Sequence, residues 1–148
     1  MQKRTGKIAL VTGASSGIGR AFAQRLGDDG YDLVVVGRRR KRLDDLVAAF
    51  PNVSVRPMVA DLGTDSGIEA VADVCAREEL DMLVNNAGVA HYMPFIELSA
   101  DKAHELIHVK VVAPTMLARA AAPGMVARGK GAIHQRVGNA GVQRSGDP

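Results

Sequence analysis

The sequence predicts a doubly wound α/β domain built around a parallel sheet. Short runs that are nearly continuous in apolar residues alternate with segments whose apolar residues recur at helical spacing. Such strands are expected in a sheet that is covered on both faces, because each parallel crossover lays a helix on the sheet. The length of 148 residues, 47% of them hydrophobic, is suited to one domain over residues 1–148 with an apolar core.

Four strands and three helices are predicted in the first part of the chain. The strands are residues 7–12, 32–36, 53–59 and 81–84, and the helices cover about 18–26, 43–50 and 66–77. Ile18, Phe22 and Leu26 have the spacing of one apolar stripe, which predicts that all three face the sheet. Ser66 and Glu69 have the spacing of a capping box, which predicts the start of the third helix.

A longer helix is predicted after the fourth strand. Ser99 is a typical N-cap residue, and apolar residues continue from it towards Met125. Pro114 is expected to kink this helix, because proline lacks the N–H and crowds the preceding turn. A fifth strand is expected to begin at residues 131–133. In a central strand the polar residues 134–136 would be buried at a cost of roughly 1–3 kcal/mol each, so we expect this strand to form poorly.

Composition argues against several classes of protein. The apolar run 8–11 is too short for a signal peptide, and charges and prolines interrupt the stretch 109–127, so no membrane segment is predicted. The net charge is +3, but aromatic residues make up only 3%, which argues against nucleic-acid binding. Cys75 is the single cysteine, and no Cys or His cluster has the spacing of zinc ligands. A cytoplasmic protein without structural metal is therefore expected.

The turn after the first strand has the sequence Thr12-Gly13-Ala14-Ser15-Ser16-Gly17-Ile18-Gly19. A helix N-terminus offers a pyrophosphate its free N–H groups and the positive end of its dipole. Glycines are suited to this turn because a Cβ would block the turn itself, the approach of a phosphate or the packing of helix on strand. The turn therefore indicates a dinucleotide site in a Rossmann-like fold, and an ordinary glycine-rich turn is the alternative.

The spacing GxxxGxG resembles the short-chain dehydrogenase/reductase family, and two later segments agree. Asp61-Leu62 follows the third strand, and Asn85-Asn86-Ala87-Gly88 closes the fourth. The resemblance implies hydride transfer between a nicotinamide dinucleotide and an alcohol or carbonyl group of a small-molecule substrate. It also implies cofactor contacts from Gly13, Ser15, Ser16, Gly17, Ile18, Gly19, Asp61, Leu62, Asn86, Ala87 and Gly88. For Asp61 taken alone, a local turn stays open as an alternative.

The end of the second strand indicates which dinucleotide is bound. In the family, an acid there holds the free ribose hydroxyls of NAD, and a basic residue just after it holds the 2′-phosphate of NADP. These positions are Gly37 and Arg38 in this sequence. A guanidinium engages a phosphate through two charge-assisted hydrogen bonds, so NADP is preferred over NAD. A solvated helix start at residues 38–42 is the alternative.

The family's catalytic pair is not found among the 148 residues. Family catalysis uses a tyrosine with a lysine four residues later, and neither Tyr31 nor Tyr92 has that lysine. Lys110 stands where the family's long helix carries an asparagine, and Gly138 stands where its fifth strand carries a serine. We therefore assign no catalytic residue, and we expect a truncated, inactive chain whose sheet is incomplete at its C-terminal end.

The resemblance fades after about Ile133, which suggests a shift of reading frame in the gene. Codons for residues 134–137, read one nucleotide later, can encode Ile-Asn-Val-Ser, which is the family's pattern. Three interpretations stay open. The first is an NADP-dependent oxidoreductase by descent. The second is a non-catalytic NADP-binding module, or a shortened partner that dimerises with a full-length relative through its long helix, where a homo-oligomer could also form. The third is a fragment that folds poorly.

Overall fold

The computed structural model describes residues 6–15, 17–89 and 93–136. Within these ranges, parallel strands form one sheet in the order β3-β2-β1-β4-β5. The strands are β1 Ile8–Thr12, β2 Asp32–Gly37, β3 Val55–Val59, β4 Met82–Asn85 and β5 Ala132–Gln135. The strand order reverses between β1 and β4, and parallel sheets open a ligand crevice at the carboxyl ends of such strands. The doubly wound, Rossmann-like sheet is thus confirmed.

Helices cover both faces of this sheet. They are α1 Gly17–Asp28, α2 Arg40–Ala49, α3 Asp65–Arg77, α4 Ala100–Ile107 and α5 Ala113–Arg128. In β1, Ala9 and Val11 belong to the core cluster beneath α1 and α2, whereas Leu10 belongs to the cluster beneath α3 and α5. Neighbouring residues of a strand point to opposite faces, which explains why β1 is apolar without alternation. No helix in the described ranges is long and apolar enough to cross a membrane.

Cys75 is part of the core. The residue is 2% exposed on α3, and its thiol is free. Burial raises the pKa of Cys75 from 9.0 to about 12, because a thiolate would lose its hydration there. The thiol is therefore neutral and unreactive in the folded protein at physiological pH.

Helix α1 faces the sheet through smaller residues than the sequence predicts. Its buried residues are Gly19, Ala23, Leu26 and Gly27, whereas Ile18 is 47% exposed. The prediction that Ile18 lies in the inward stripe is therefore wrong. Helix α1 approaches the turn closely at Gly19, and the face that contains Gly19 and Ala23 is buried in place of Ile18.

Helix α3 begins one residue earlier than predicted and is capped by a different side chain. The Thr64 hydroxyl accepts a hydrogen bond from the backbone N–H of Gly67 at 3.1 Å. The same hydroxyl donates to the carbonyl of Asp61 at 2.8 Å, which fixes it between the turn and the helix. The predicted capping box of Ser66 and Glu69 is therefore wrong, because Thr64 already occupies the N-cap.

The long helix predicted after Ser99 is interrupted before Pro114. Ser99 caps α4 by accepting from the N–H of Lys102 at 3.3 Å, as predicted. A π-helical turn at His108–Val112 follows, in which the N–H of Ala113 donates to the His108 carbonyl. Pro114 lies in the first turn of α5, where a missing N–H is tolerated. The proline is therefore accommodated by a widened turn ahead of it.

Strand β5 forms and pairs with β4, contrary to the expectation that it would form poorly. Its register places Val84 beside His134 and Asn85 beside Gln135. All four residues of β5 are exposed, and this strand lies at the edge of the described sheet. The predicted burial cost assumed a central, covered strand, and it does not arise at this edge.

Candidate functional site

A cleft opens at the carboxyl ends of the central strands. It encloses about 670 Å³, open mouth included. Seven residues predicted to contact a cofactor line this cleft: Gly13, Ser15, Arg38, Asp61, Leu62, Ala87 and Gly88. These residues follow four different strands, so the fold gathers positions that are as far as 75 residues apart in the chain. Ser16 lies outside the described residues.

The hydroxyl of Thr12 joins two of the segments that form the cleft. Thr12 ends β1 and is 1% exposed. Its Oγ1 accepts hydrogen bonds from the backbone N–H groups of Asn86 and Ala87, both at 3.0 Å. The Asn86 side chain in turn donates to the carbonyl of Gly13 at 3.1 Å. No sequence motif predicted this role of Thr12. The one signal for it is a threonine at the end of an otherwise apolar strand.

The glycines of the first turn are required for separate reasons. Gly13 has a φ of 61°, and a Cβ there would be 2.8 Å from the Cα of Ala87. A Cβ at Gly19 would overlap the carbonyl oxygen of Gly13 and the Asn86 amide. Gly17 has a φ of 57° at the start of α1, with open space around it. The turn therefore has no side chain at these three positions next to the N-terminus of α1, and this geometry fits a pyrophosphate.

A positively charged corner lies after β2. Arg38, Arg39 and Arg42 all line the cleft, whereas Arg40 forms an ion pair with an acid one turn later in α2. The Arg38 Nη1 is 3.6 Å from Oε1 of Glu105 on α4. The reading of these basic residues as a solvated helix start thus holds for Arg40, but Arg42 faces the cleft.

Asp61 forms a local turn and also lines the cleft. Its carboxylate Oδ1 accepts from the N–H of Gly63 at 2.9 Å, which is a local turn, and the residue also lines the cleft. Leu62 beside it is 5% exposed and belongs to the core. A Cβ at Gly67 would overlap the Asp61 carbonyl, so this glycine lets α3 approach the turn, a role the sequence analysis missed.

The other predicted contact residues do not line the cleft directly. The first turn of α1 contains Gly17, Ile18 and Gly19. The side chain of Asn86 donates a hydrogen bond to the carbonyl of Gly13. Lys110, at the position of the family's asparagine, is exposed in the π-helical turn. Asn85 donates to the carbonyl of Pro114 at 3.3 Å and so ties β4 to α5. Over the described residues, no three metal-ligating side chains come together.

A family model described as short chain dehydrogenase matches residues 7–146 of this chain. The match thus continues past Ile133, although the sequence motifs of the family are no longer recognisable after that residue. The inactive hydroxysteroid dehydrogenase-like protein 1 of Pongo abelii is 34% identical over 88% of this chain and 42% of its own length. The very-long-chain 3-oxoacyl-CoA reductase of Eremothecium gossypii is 34% identical over 86% of this chain and 38% of its own.

Solved structures share this architecture. A short-chain dehydrogenase from Sphingobium yanoikuyae in complex with NADPH has a TM-score of 0.83 and 39% identity, over 86% of this chain and 52% of that one. The bulky-bulky ketone specific alcohol dehydrogenase from Comamonas testosteroni has a TM-score of 0.83 and 34% identity, over 86% of this chain and 53% of that one. The chain therefore spans about half the length of these two structures.

Proposed function

Because this chain belongs to the short-chain dehydrogenase family, we propose that it is the NADP-binding part of an oxidoreductase that acts on an alcohol or carbonyl group. The preference for NADP is based on one corner of the cleft. Arg38 lines this corner, and residue 37 has no carboxylate. A guanidinium there attracts a 2′-phosphate, and an acid at the preceding position would repel one.

Each part of the cleft is suited to one part of the dinucleotide. The turn through Gly13, Gly17 and Gly19 would hold the pyrophosphate at the N-terminus of α1, with Ser15, Ser16 and Ile18 beside it. Asp61 and Leu62 would contact the adenine, and the segment 86–88 would line the path towards the nicotinamide. When bound, the nicotinamide supplies or accepts the hydride, and this chain's residues fix its place.

Known structures of similar chains support NADP as the cofactor. One neighbour is the NADPH complex from Sphingobium yanoikuyae, and another is a metagenomic short-chain oxidoreductase in complex with NADP, 35% identical to this chain. Arg39 and Arg42 add positive charge to the same corner. We therefore propose that residues 1–148 are one dinucleotide-binding domain with a preference for NADP over NAD.

Replacement of Arg38 by alanine tests this cofactor choice. Loss of two charge-assisted hydrogen bonds is expected to weaken NADPH binding by about 10- to 100-fold, because each bond to a charged group contributes about 1.5–3 kcal/mol and part of this is recovered by water. NADH binding should change less than about two-fold, since NADH has no 2′-phosphate. Calorimetric titration of both cofactors measures the two affinities.

The control for this variant is Arg25→Ala, which removes an exposed arginine at the far end of α1, where it pairs with Asp29 at 3.2 Å. Both cofactors should bind this variant as they bind the wild type. Equal weakening of NADPH and NADH by Arg38→Ala would count against NADP, and no binding of either cofactor to the wild type would count against the whole proposal.

A second function is a binding module without turnover. None of the 148 residues supplies a tyrosine with a lysine four positions later, and Lys110 replaces the family's asparagine. Two relatives at 33–34% identity carry the name inactive hydroxysteroid dehydrogenase-like protein 1. We expect the 148-residue chain to bind NADPH without oxidising it in the presence of ketones. Absorbance at the nicotinamide band checks this, and a steady decay that needs both chain and ketone would refute it.

The remaining proposals concern location and assembly. A buried, unpaired Cys75 accords with the cytoplasm, where thiols stay reduced. Exposed apolar residues along the long helical segment, among them Ile107, Val111 and Val126, accord with association of chains there. Size-exclusion chromatography of the sample used for calorimetry separates a homo-oligomer from a monomer.

A further inference from the structure

Arg38, which we propose holds the cofactor phosphate, already has an acidic partner. Its Nη1 is 3.6 Å from Oε1 of Glu105. Glu105 lies in α4, 67 residues later in the chain, so no local sequence pattern indicates this pair. Arg38 lines the cleft, and the two side chains are 50% and 34% exposed, so the pair is in contact with solvent.

Glu105 is held close to the cleft by the turn after β3. A Cβ on Gly63 would be 3.2 Å from Cγ of Glu105, so the stem of the glutamate packs against that backbone. The N–H of Gly63 donates to the carboxylate of Asp61, which keeps this turn in place. The carboxylate of Glu105 is therefore positioned beside the corner where Arg38 would meet a 2′-phosphate.

We propose that Glu105 competes with the 2′-phosphate of NADP for Arg38 and so narrows the preference for NADP over NAD. This inference rests on the proposed function. Arg38 has to leave or share its carboxylate partner when the phosphate binds, so part of the attraction between Arg38 and the phosphate is offset. NADH has no phosphate at this position, so its binding leaves the pair of Arg38 and Glu105 intact.

The surrounding charges are consistent with a pair that exchanges partners. Arg39 and Arg42 line the same cleft and offer the phosphate additional positive charge. On the next turn of the helical segment, His108 pairs with Asp65 at 3.0 Å and not with Glu105. Exposed pairs are weakened by salt, so the competition should be strongest at low ionic strength.

The test is the substitution Glu105→Gln, which removes the charge and keeps the shape. Calorimetry at low salt is expected to show about two- to five-fold tighter NADPH binding, the range for the loss of one exposed competing charge. NADH binding should stay within about two-fold of the wild type. Asp101→Asn is the matched control, since it removes one negative charge from the same helix one turn earlier. Glu105→Ala provides a second variant with the same expected gain.

Arg38→Ala combined with Glu105→Gln separates competition from simple repulsion. If Glu105 acts through Arg38, the gain from Glu105→Gln is expected to vanish when Arg38 is absent. A gain that persists without Arg38, or no gain in either Glu105 variant, would overturn the competition while leaving the proposed function standing. If Arg38→Ala alone does not weaken NADPH binding, the proposed cofactor site fails, and this inference fails with it.

Discussion

Replacement of Thr12 by valine is expected to lower the free energy of unfolding by about 2–5 kcal/mol. Valine keeps the shape of threonine but has no hydroxyl, so the N–H groups of Asn86 and Ala87 lose the oxygen that accepts both of them. Thr12 is 1% exposed, and water cannot easily replace that oxygen. A buried donor left without an acceptor costs about 1–3 kcal/mol, and two are created here.

The same substitution is expected to weaken NADPH binding by more than about ten-fold. Asn86 holds the carbonyl of Gly13 at 3.1 Å, so loosening the segment after β4 also loosens the glycine turn. Urea unfolding and calorimetry measure the two effects. Thr12→Ser is the control, because serine keeps the oxygen and should lose only about 1 kcal/mol for the missing methyl group. Equal effects of valine and serine would contradict the role of the hydroxyl.

Replacement of Gly19 by alanine is expected to disrupt the cleft as severely. The new Cβ would overlap the carbonyl of Gly13 and the Asn86 amide, and both of these groups are already held by a hydrogen bond to each other. Either α1 moves away from β1 or that bond breaks. We expect a loss of at least about 3 kcal/mol in unfolding free energy, at the upper end of overpacking, because backbone and not a flexible side chain is in the way.

NADPH binding should fall by about 100-fold or more in this variant, since the displaced turn is the proposed pyrophosphate cradle. Gly88→Ala is the control for stability: a Cβ there has no atom within 4 Å, and the residue lines the same cleft. Its unfolding free energy should stay within about 0.5 kcal/mol of the wild type. Wild-type stability and affinity in Gly19→Ala would show that the turn does not need a glycine.

Both predictions concern the contact between the ends of β1 and β4, the two strands between which the strand order reverses. The glycine turn follows β1, and the segment 86–88 follows β4. Thr12, Asn86 and Gly13 connect the two through three hydrogen bonds of 3.0–3.1 Å. The cleft is therefore shaped by hydrogen bonds between the segment after β1 and the segment after β4.

The sequence by itself determined the first four strands, their covering by helices and half of the residues that line the cleft. Apolar runs without alternation require a sheet buried on both faces, and β1 has that burial. The glycine turn could be recognised because few residue types tolerate a positive φ and close backbone approach, as at Gly13. Strand burial and positive φ restrict which residue types are allowed at single positions, so both can be predicted from the sequence.

Only the tertiary structure decided which side chains meet across the chain. The exposure of Ile18 depends on how closely α1 approaches β1, and the exposure of β5 depends on its place at the edge of the described sheet. The bonds of Thr12 and the pair of Arg38 with Glu105 join residues 67–75 positions apart. Such contacts follow from the order of strands and the packing of helices, which the spacing of residues along one element does not encode.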